Sequence, residues 1–162
     1  MSGGRFTRLG LATLLITLIA DQAHKWWMLH VTKLVEGQRV RVTPFLDFVY
    51  VRNPGISYSL LQNLGQAPLV IFAAIAALVM IAWIPKAHSQ LLALSLGLIA
   101  GGAIGNAIDR VVLGGVADFF SFHAGGFYWY VFNIADVAIV AGVAGLLYDS
   151  ILTSRKNAGK AT

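Results

Sequence analysis

Residues 67–85, APLVIFAAIAALVMIAWIP, run for 19 positions without a charge, and residues 87–108 run for 22 more. A bilayer core about 30 Å thick needs roughly 20 helical residues, so each run is long enough to cross it. PKAHSQ at 85–90 forms the tight turn between them. Two further apolar runs are less clean: Gly10–Leu29 is broken by Asp21 and Lys25, and Tyr130–Tyr148 by Asp136. The pattern predicts four spans, at about 10–29, 67–85, 89–109 and 131–148, with longer connections over 30–66 and 110–130. In the first connection, RVRVTPFLDFVYVRN partly alternates and is rich in Val, Phe and Tyr, which predicts short strands. Asn53-Pro54-Gly55 marks a turn after it. In the second, FYWYVF at 127–132 suits an aromatic belt that opens the fourth helix. The expected architecture is an all-α membrane protein of four transmembrane helices with a small extracytoplasmic β-rich platform, in one integral membrane domain over 1–162. Gly97, Gly101 and Gly105 recur every fourth residue, as do Ala141 and Gly145, and such small faces let membrane helices approach closely.

Composition sharpens this picture. Hydrophobic residues make up 57% of the chain and charged residues 12%, about half the charge of an ordinary soluble domain. The net charge of +5 is scattered, with no basic run, so nucleic acid is not the expected partner. The chain has no cysteine, which removes thiolate catalysis and cysteine-rich metal sites. Residues 101–105, GGAIG, follow no strand and precede no Lys-Ser pair, so they read as packing and not as a phosphate loop. The first apolar run resembles a signal peptide in length, but its internal charges and the spans that follow it predict a retained helix. With four spans, Arg5, Arg8, Lys86, Arg155, Lys156 and Lys160 fall on one side, which the positive-inside rule makes cytoplasmic. Both termini are then expected in the cytoplasm. Arg39, Arg41 and Arg52 fall on the other side, in the longer connection.

Ionisable groups in or beside a span are costly and are candidate functional residues. Asp21 and Lys25 lie four apart on the first helix and can pair. Asn106, Asp109 and Arg110 close the third helix, Asp118 follows in VADFF, and Asn133 and Asp136 open the fourth. All of them gather at the exterior end of the bundle. Four acids there (Asp21, Asp109, Asp118 and Asp136) face two bases, Lys25 and Arg110, so at least one acid is expected to lack a cation. Two carboxylates held close share a proton. The charged one can activate water while the protonated one polarises a carbonyl, which is aspartic peptidase chemistry. Two other readings stand beside it. Asp118, His123 and Asp136 have ligand types that suit a metal. A non-enzymatic transporter half or assembly factor could use the same polar residues for ions or packing, although ionisable groups near the midplane would then be expected.

Four strings resemble the lipoprotein signal peptidase (type II bacterial signal peptidase) family. They are DQAHK at 21–25, VRNPGISYSLL at 51–61, GNAIDRVVLGGVADF at 105–119 and FNIADVAI at 132–139, in family order. The resemblance implies a membrane aspartic endopeptidase of the bacterial inner (cytoplasmic) membrane, with its active site near the exterior face. Its substrates would be prolipoproteins carrying diacylglyceryl on a cysteine, cut just before that cysteine. It implies Asp118 and Asp136 as the catalytic pair, supported by Asp21, Lys25, Asn53, Gly55, Asn106, Arg110 and Asn133. It implies no metal and no cofactor, membrane lipid as surroundings, a monomer, and inhibition by cyclic peptides such as globomycin. Within that frame Asn133 is expected to orient the pair or the substrate, and Asn106 and Arg110 to steady the Asp118 loop. Asn53 and Gly55 would hold the exterior loop over the site. Ile56 and Tyr58 depart from the family pattern, which bears on loop shape and on lipid or inhibitor preference.

Overall fold

The structure, a computed structural model, describes residues 3–55 and 65–158. Ile56, Ser57, Tyr58 and Lys160 lie outside them. Four long helices form the body: α1 (Gly3–Trp26), α2 (Gln66–Trp83), α3 (Gln90–Leu113) and α4 (Ile134–Ala158). All four are long and apolar enough to cross a membrane. A π-helical segment, Trp27–Val31, extends α1, and a 3-10 turn, Ile84–Lys86, follows α2. Four antiparallel strands form one sheet in the order β1 (Arg39–Thr43), β2 (Leu46–Asn53), β3 (Val116–Ala124) and β4 (Phe127–Tyr128). The expected class, a four-helix membrane bundle with a small β-rich platform, is what the chain adopts.

Helix α3 is central and packs against each of the other three. Its small residues allow this. A Cβ on Gly97 would strike the Gly10 carbonyl oxygen, and one on Gly101 would come within 2.6 Å of the Leu14 oxygen. On the opposite face, a Cβ on Gly102 would come within 2.6 Å of the Ala135 oxygen of α4. Helix α4 answers with Gly142 and Gly145, which lie against Ser95 and Ile99. The small face of α4 is therefore Gly142–Gly145, not Ala141–Gly145: Ala141 points outward. Large apolar side chains such as Ile16, Ile71, Phe72 and Val140 point away from the bundle, where lipid replaces a protein partner.

At one end Ser89 caps α3, accepting from the Leu92 N–H at 2.9 Å and donating to Asp149 of α4 at 2.6 Å. At the other end α3 runs to Leu113, beyond the expected 109, and stops at Gly114, whose φ of 72° supplies the left-handed cap. Strand β3 follows at once, so part of the connection expected over 110–130 is helix and strand. The aromatic string 127–132 is extended and does not open α4. The Phe132 N–H donates to the Phe120 oxygen at 3.0 Å, and the Phe120 N–H returns to the Phe132 oxygen at 2.9 Å. That pairing uses the backbone groups a helix would need, so α4 starts only at Ile134.

The sheet packs Ala117 and Phe119 of β3 against Met28 and Leu34, with Tyr50 stacked on Phe119 at 5.3 Å. Beyond this cluster the buried Asp47 of β2 accepts from Arg39 at 2.9 Å and contacts His123 Nε2 at 3.0 Å, pinning β1, β2 and β3 together. The Arg39 hydrogen bond holds the Asp47 carboxyl below the usual carboxylate range.

Gly101→Val tests the close approach of α1 to α3. The added side chain must displace backbone, not a flexible tip, so the expected cost is about 1–3 kcal/mol. A lowered Tm of the purified protein in detergent would register it, and an unchanged Tm would rule the contact out as a packing constraint.

Candidate functional site

Lys25 organises the polar end of the bundle. Its Nζ lies 2.8 Å from Asp21 Oδ2 and 2.7 Å from Asp109 Oδ2, and donates to Asn106 Oδ1 at 3.3 Å. All four residues are buried. The two carboxylates carry more negative charge than one ammonium cancels, and neutral N–H donors take up the remainder. Asp21 Oδ1 accepts from the Ala135 N–H at 3.0 Å, and Asp109 Oδ2 from the Ala117 N–H at 3.0 Å. Gln22 Nε2 bridges the pair, donating to Asp21 at 3.2 Å and Asp109 at 3.1 Å. A Cβ on Gly105 would come within 2.5 Å of Asp21 Oδ2, so glycine there is what lets the carboxylate in.

This cluster holds the start of α4 and of β3, the two elements that carry Asp136 and Asp118. At α4, Asn133 is the N-cap: its Oδ1 accepts from the Asp136 N–H at 2.9 Å, while Asp136 Oδ2 accepts from the Asn133 N–H at 3.2 Å. This reciprocal pair is a capping box built with aspartate. Because Phe132 pairs with Phe120, Asn133 sits beside β3, and its Nδ2 donates to Asp118 Oδ1 at 2.7 Å. The same Nδ2 donates to Asn106 Oδ1 at 3.1 Å, and Asn106 Nδ2 donates to Asp136 Oδ1 at 2.9 Å. Asn53, at the end of β2, donates to Asp118 Oδ2 at 3.4 Å and accepts from the Gly55 N–H at 3.0 Å.

Asp118 and Asp136 both line a cleft of about 240 Å³ between α2, α3 and α4, with Asn53, Asn106 and Arg110 on its polar wall. Asp118 is 2% exposed, whereas Asp136 is only partly buried. Neither has a cation partner among the described residues. Burial first, and then the charge of Asp136, push the Asp118 carboxyl up to about 8. Arg110 does not pair with them. Its guanidinium donates to the Gly55 oxygen at 2.9 Å and the Asn106 oxygen at 3.2 Å, so it braces the Asn53–Gly55 turn rather than the Asp118 strand.

All nine sequence candidates thus meet at one end of the bundle. His123 does not join them: it is held on Asp47 in the sheet, away from the cleft. No group of three metal-ligating side chains occurs among the described residues. Sequence reasoning passed over Gln22 and Tyr130. An amide inside an apolar helix was the available signal for Gln22; Tyr130, which lines the cleft, was hidden in an aromatic string.

A family model described as Signal peptidase (SPase) II matches residues 13–152. The chain is 51% identical over 150 residues to the lipoprotein signal peptidase of Methylocella silvestris, covering 91% of this chain and 88% of that one. It is 53% identical over 146 residues to that of Methylobacterium sp. (strain 4-46), covering 88% of each. A solved structure described as a bacterial membrane enzyme, obtained by the in meso method, superposes with a TM-score of 0.80 at 26% identity, covering 91% of this chain and 90% of that one.

Lys25→Met removes the cation that pairs with both Asp21 and Asp109 and leaves two buried carboxylates without an ion-pair partner among the described residues. The expected cost is about 3–5 kcal/mol. Thermal unfolding in detergent measures it, and a loss under about 1 kcal/mol would put Lys25 outside the framework, among exposed pairs of little consequence.

Proposed function

This chain belongs to the signal peptidase II family, and from that premise we propose that Asp118 and Asp136 are the carboxylates with which it hydrolyses its substrate. The activity is that of an aspartic-type signal peptidase II acting on lipoprotein precursors, in a multi-pass inner-membrane enzyme. The observation that carries the assignment is that Lys25 takes up Asp21 and Asp109 and Arg110 turns to the Gly55 oxygen, so Asp118 and Asp136 share one cleft with no ion-pair partner among the described residues.

Their surroundings divide the work. Asp118 is buried and keeps its proton up to about pH 8, so it is the acid that hydrogen-bonds the scissile carbonyl as it becomes tetrahedral. Asp136 is partly exposed at the positive end of α4, with N–H donors from Asn106 and Asn133, which suits a carboxylate that activates water. Water adds to the carbonyl carbon while its proton passes to Asp136. That proton then goes to the leaving nitrogen as the peptide bond breaks. Asn133, bonded to both carboxylates, fixes their relation, and Asn106 aims a donor at Asp136. Asp21 and Lys25 hold the frame beneath them, and Asn53, Gly55 and Arg110 shape the rim.

The bond cut is the one just before a diacylglyceryl-modified cysteine. Four spans, within Gly4–Val31, Gln66–Lys86, Gln90–Leu113 and Ile134–Arg155, carry both termini to the cytoplasm. Arg5, Arg8, Lys86 and Arg155 at the end remote from the dyad support this orientation. The cleft then opens at the exterior face, where the lipid-modified cysteine lies. In this reading the enzyme acts as a monomer, with Asn53, Asn106, Arg110, Asp118 and Asp136 of a single chain completing the polar wall. A cyclic peptide such as globomycin would inhibit it by occupying the same cleft.

Asp118→Asn and Asp136→Asn should each lower cleavage of a diacylglyceryl-modified precursor by at least about 10²–10⁴-fold, with EDTA present throughout. Wild-type cleavage that survives in either variant would remove that residue from the chemistry. The pH profile carries a second expectation. A raised carboxyl stays protonated until its own value is passed, so the acid form of Asp118 is lost as pH climbs through about 8. Then kcat/KM should fall about tenfold per unit above that point. A plateau extending to pH 10 would mean that Asp118 is not the acid.

A further inference from the structure

A second groove, of about 490 Å³, runs down the outer flank of α4. Phe122, Trp129 and Phe132 wall it at the sheet end, and Val137, Val140 and Ala144 line it along the helix. Tyr130 and Asp136 are the two residues it has in common with the cleft that holds both carboxylates. The two hollows therefore open on one carboxylate from either side of one aromatic ring. That ring is held in place. The Trp129 N–H donates to the Phe122 oxygen at 2.8 Å, and Tyr130 packs on Trp129 at 5.8 Å and on Phe132 at 5.9 Å. Phe132 in turn lies against Phe120 and Phe122 at 5.7 and 5.5 Å.

A lipid-modified precursor brings two different apolar parts to the bond that is cut, a peptide segment and hydrocarbon chains. The peptide has to lie in the first cleft, where both carboxylates and the amide donors are. Among the described residues the second groove has Asp136 as its one charged wall residue and no side-chain amide, which suits hydrocarbon. From Asp136 to Ala144 is eight residues, so the groove follows about 12 Å of helix. A strip this long on one helix flank, apolar along its length and ending at Asp136, suits an extended hydrocarbon chain.

We propose that an acyl chain of the substrate's diacylglyceryl group seats in this α4 groove, and that Tyr130 is the wall keeping it out of the peptide cleft. The proposal rests on the reading that the substrate is a lipid-modified precursor. The chain arrives from lipid and not from water, so the groove contributes position more than affinity: a chain fixed beside Asp136 sets which peptide bond faces the dyad. Tyr130 is here a positioning residue.

The test is photo-crosslinking. Asp118→Asn protein in lipid nanodiscs is mixed with a synthetic diacylglyceryl-cysteine precursor peptide carrying a diazirine at mid-chain, photolysed, and mapped by mass spectrometry. Label is expected on residues 137–144, lost when Ala141→Trp fills the groove and retained in Val143→Trp, an exposed position outside both hollows. Adding Tyr130→Ala should let label spread to 69–76 of α2. Label centred on 69–76 with Tyr130 intact, label spread evenly over lipid-facing positions such as Ile16 and Val111, or label indifferent to Ala141→Trp would each overturn the proposal. Cleavage of the same peptide by the unmutated enzyme runs alongside. Cleavage with the wrong label pattern sinks the groove assignment alone, and absence of cleavage sinks the reading beneath it.

Discussion

An ammonium on a membrane helix must be neutralised within the protein, and the way Lys25 meets that need fixes the rest of the site. Its three closest partners come from two helices: Asp21 on α1, and Asn106 and Asp109 on α3. The consequence reaches further than charge balance. Asn106 must turn its oxygen toward Lys25 and Asn133, both donors, so its NH₂ can face only Asp136. An uncharged residue thereby passes the orientation set by a buried cation to a carboxylate that the cation never touches. Asp21 and Asp109 are consumed in the same arrangement, which leaves Asp118 and Asp136, the proposed catalytic pair, without an ion-pair partner among the described residues.

Close packing makes that arrangement possible. Gly97, Gly101 and Gly105 bring α1 against α3 until Asp21 reaches the start of α4, and Gly102 brings α4 in from the other side. Hydrophobicity offers no drive for helices to associate in lipid, so backbone proximity and polar contacts must supply it. The glycines and the polar cluster are two parts of one solution. The first allows the approach and the second rewards it with hydrogen bonds that lipid cannot provide.

Much of this could be read along the chain. Uncharged runs located α2 and α3, the excess of acids over bases at one end pointed to a carboxylate without a cation, and the resembling motifs gave Asp118 and Asp136 as the proposed pair. Which acid would be left over could not be read, because Asp109 and Arg110 are neighbours in sequence and the choice between them is spatial: Asp109 turns to Lys25, and Arg110 turns away to the Gly55 carbonyl. The string 127–132 misled for a related reason. Its apolar aromatic character fits the start of a membrane helix, but its backbone partner, Phe120, lies across a strand that periodicity alone did not reveal. The buried Asp47–Arg39–His123 knot escaped notice because its members are far apart in sequence and lie in segments that look like exposed sheet.

Asn133 and Asp136 join folding to chemistry most directly. A helix start leaves several N–H groups without partners, and here the residues that satisfy them also line the cleft. Asp136 sits at the start of α4, and that start is held by Phe132 paired with β3 and by Asp21 accepting from the Ala135 N–H. Asp118 is carried on that same β3. The two carboxylates are thus brought together by one set of contacts, one from the strand and one from the helix, with Asn133 bonded to both. A site assembled in this way has little freedom to hold one carboxylate in place without the other. That suits a reaction in which they must act as a pair, one holding a proton while the other takes one.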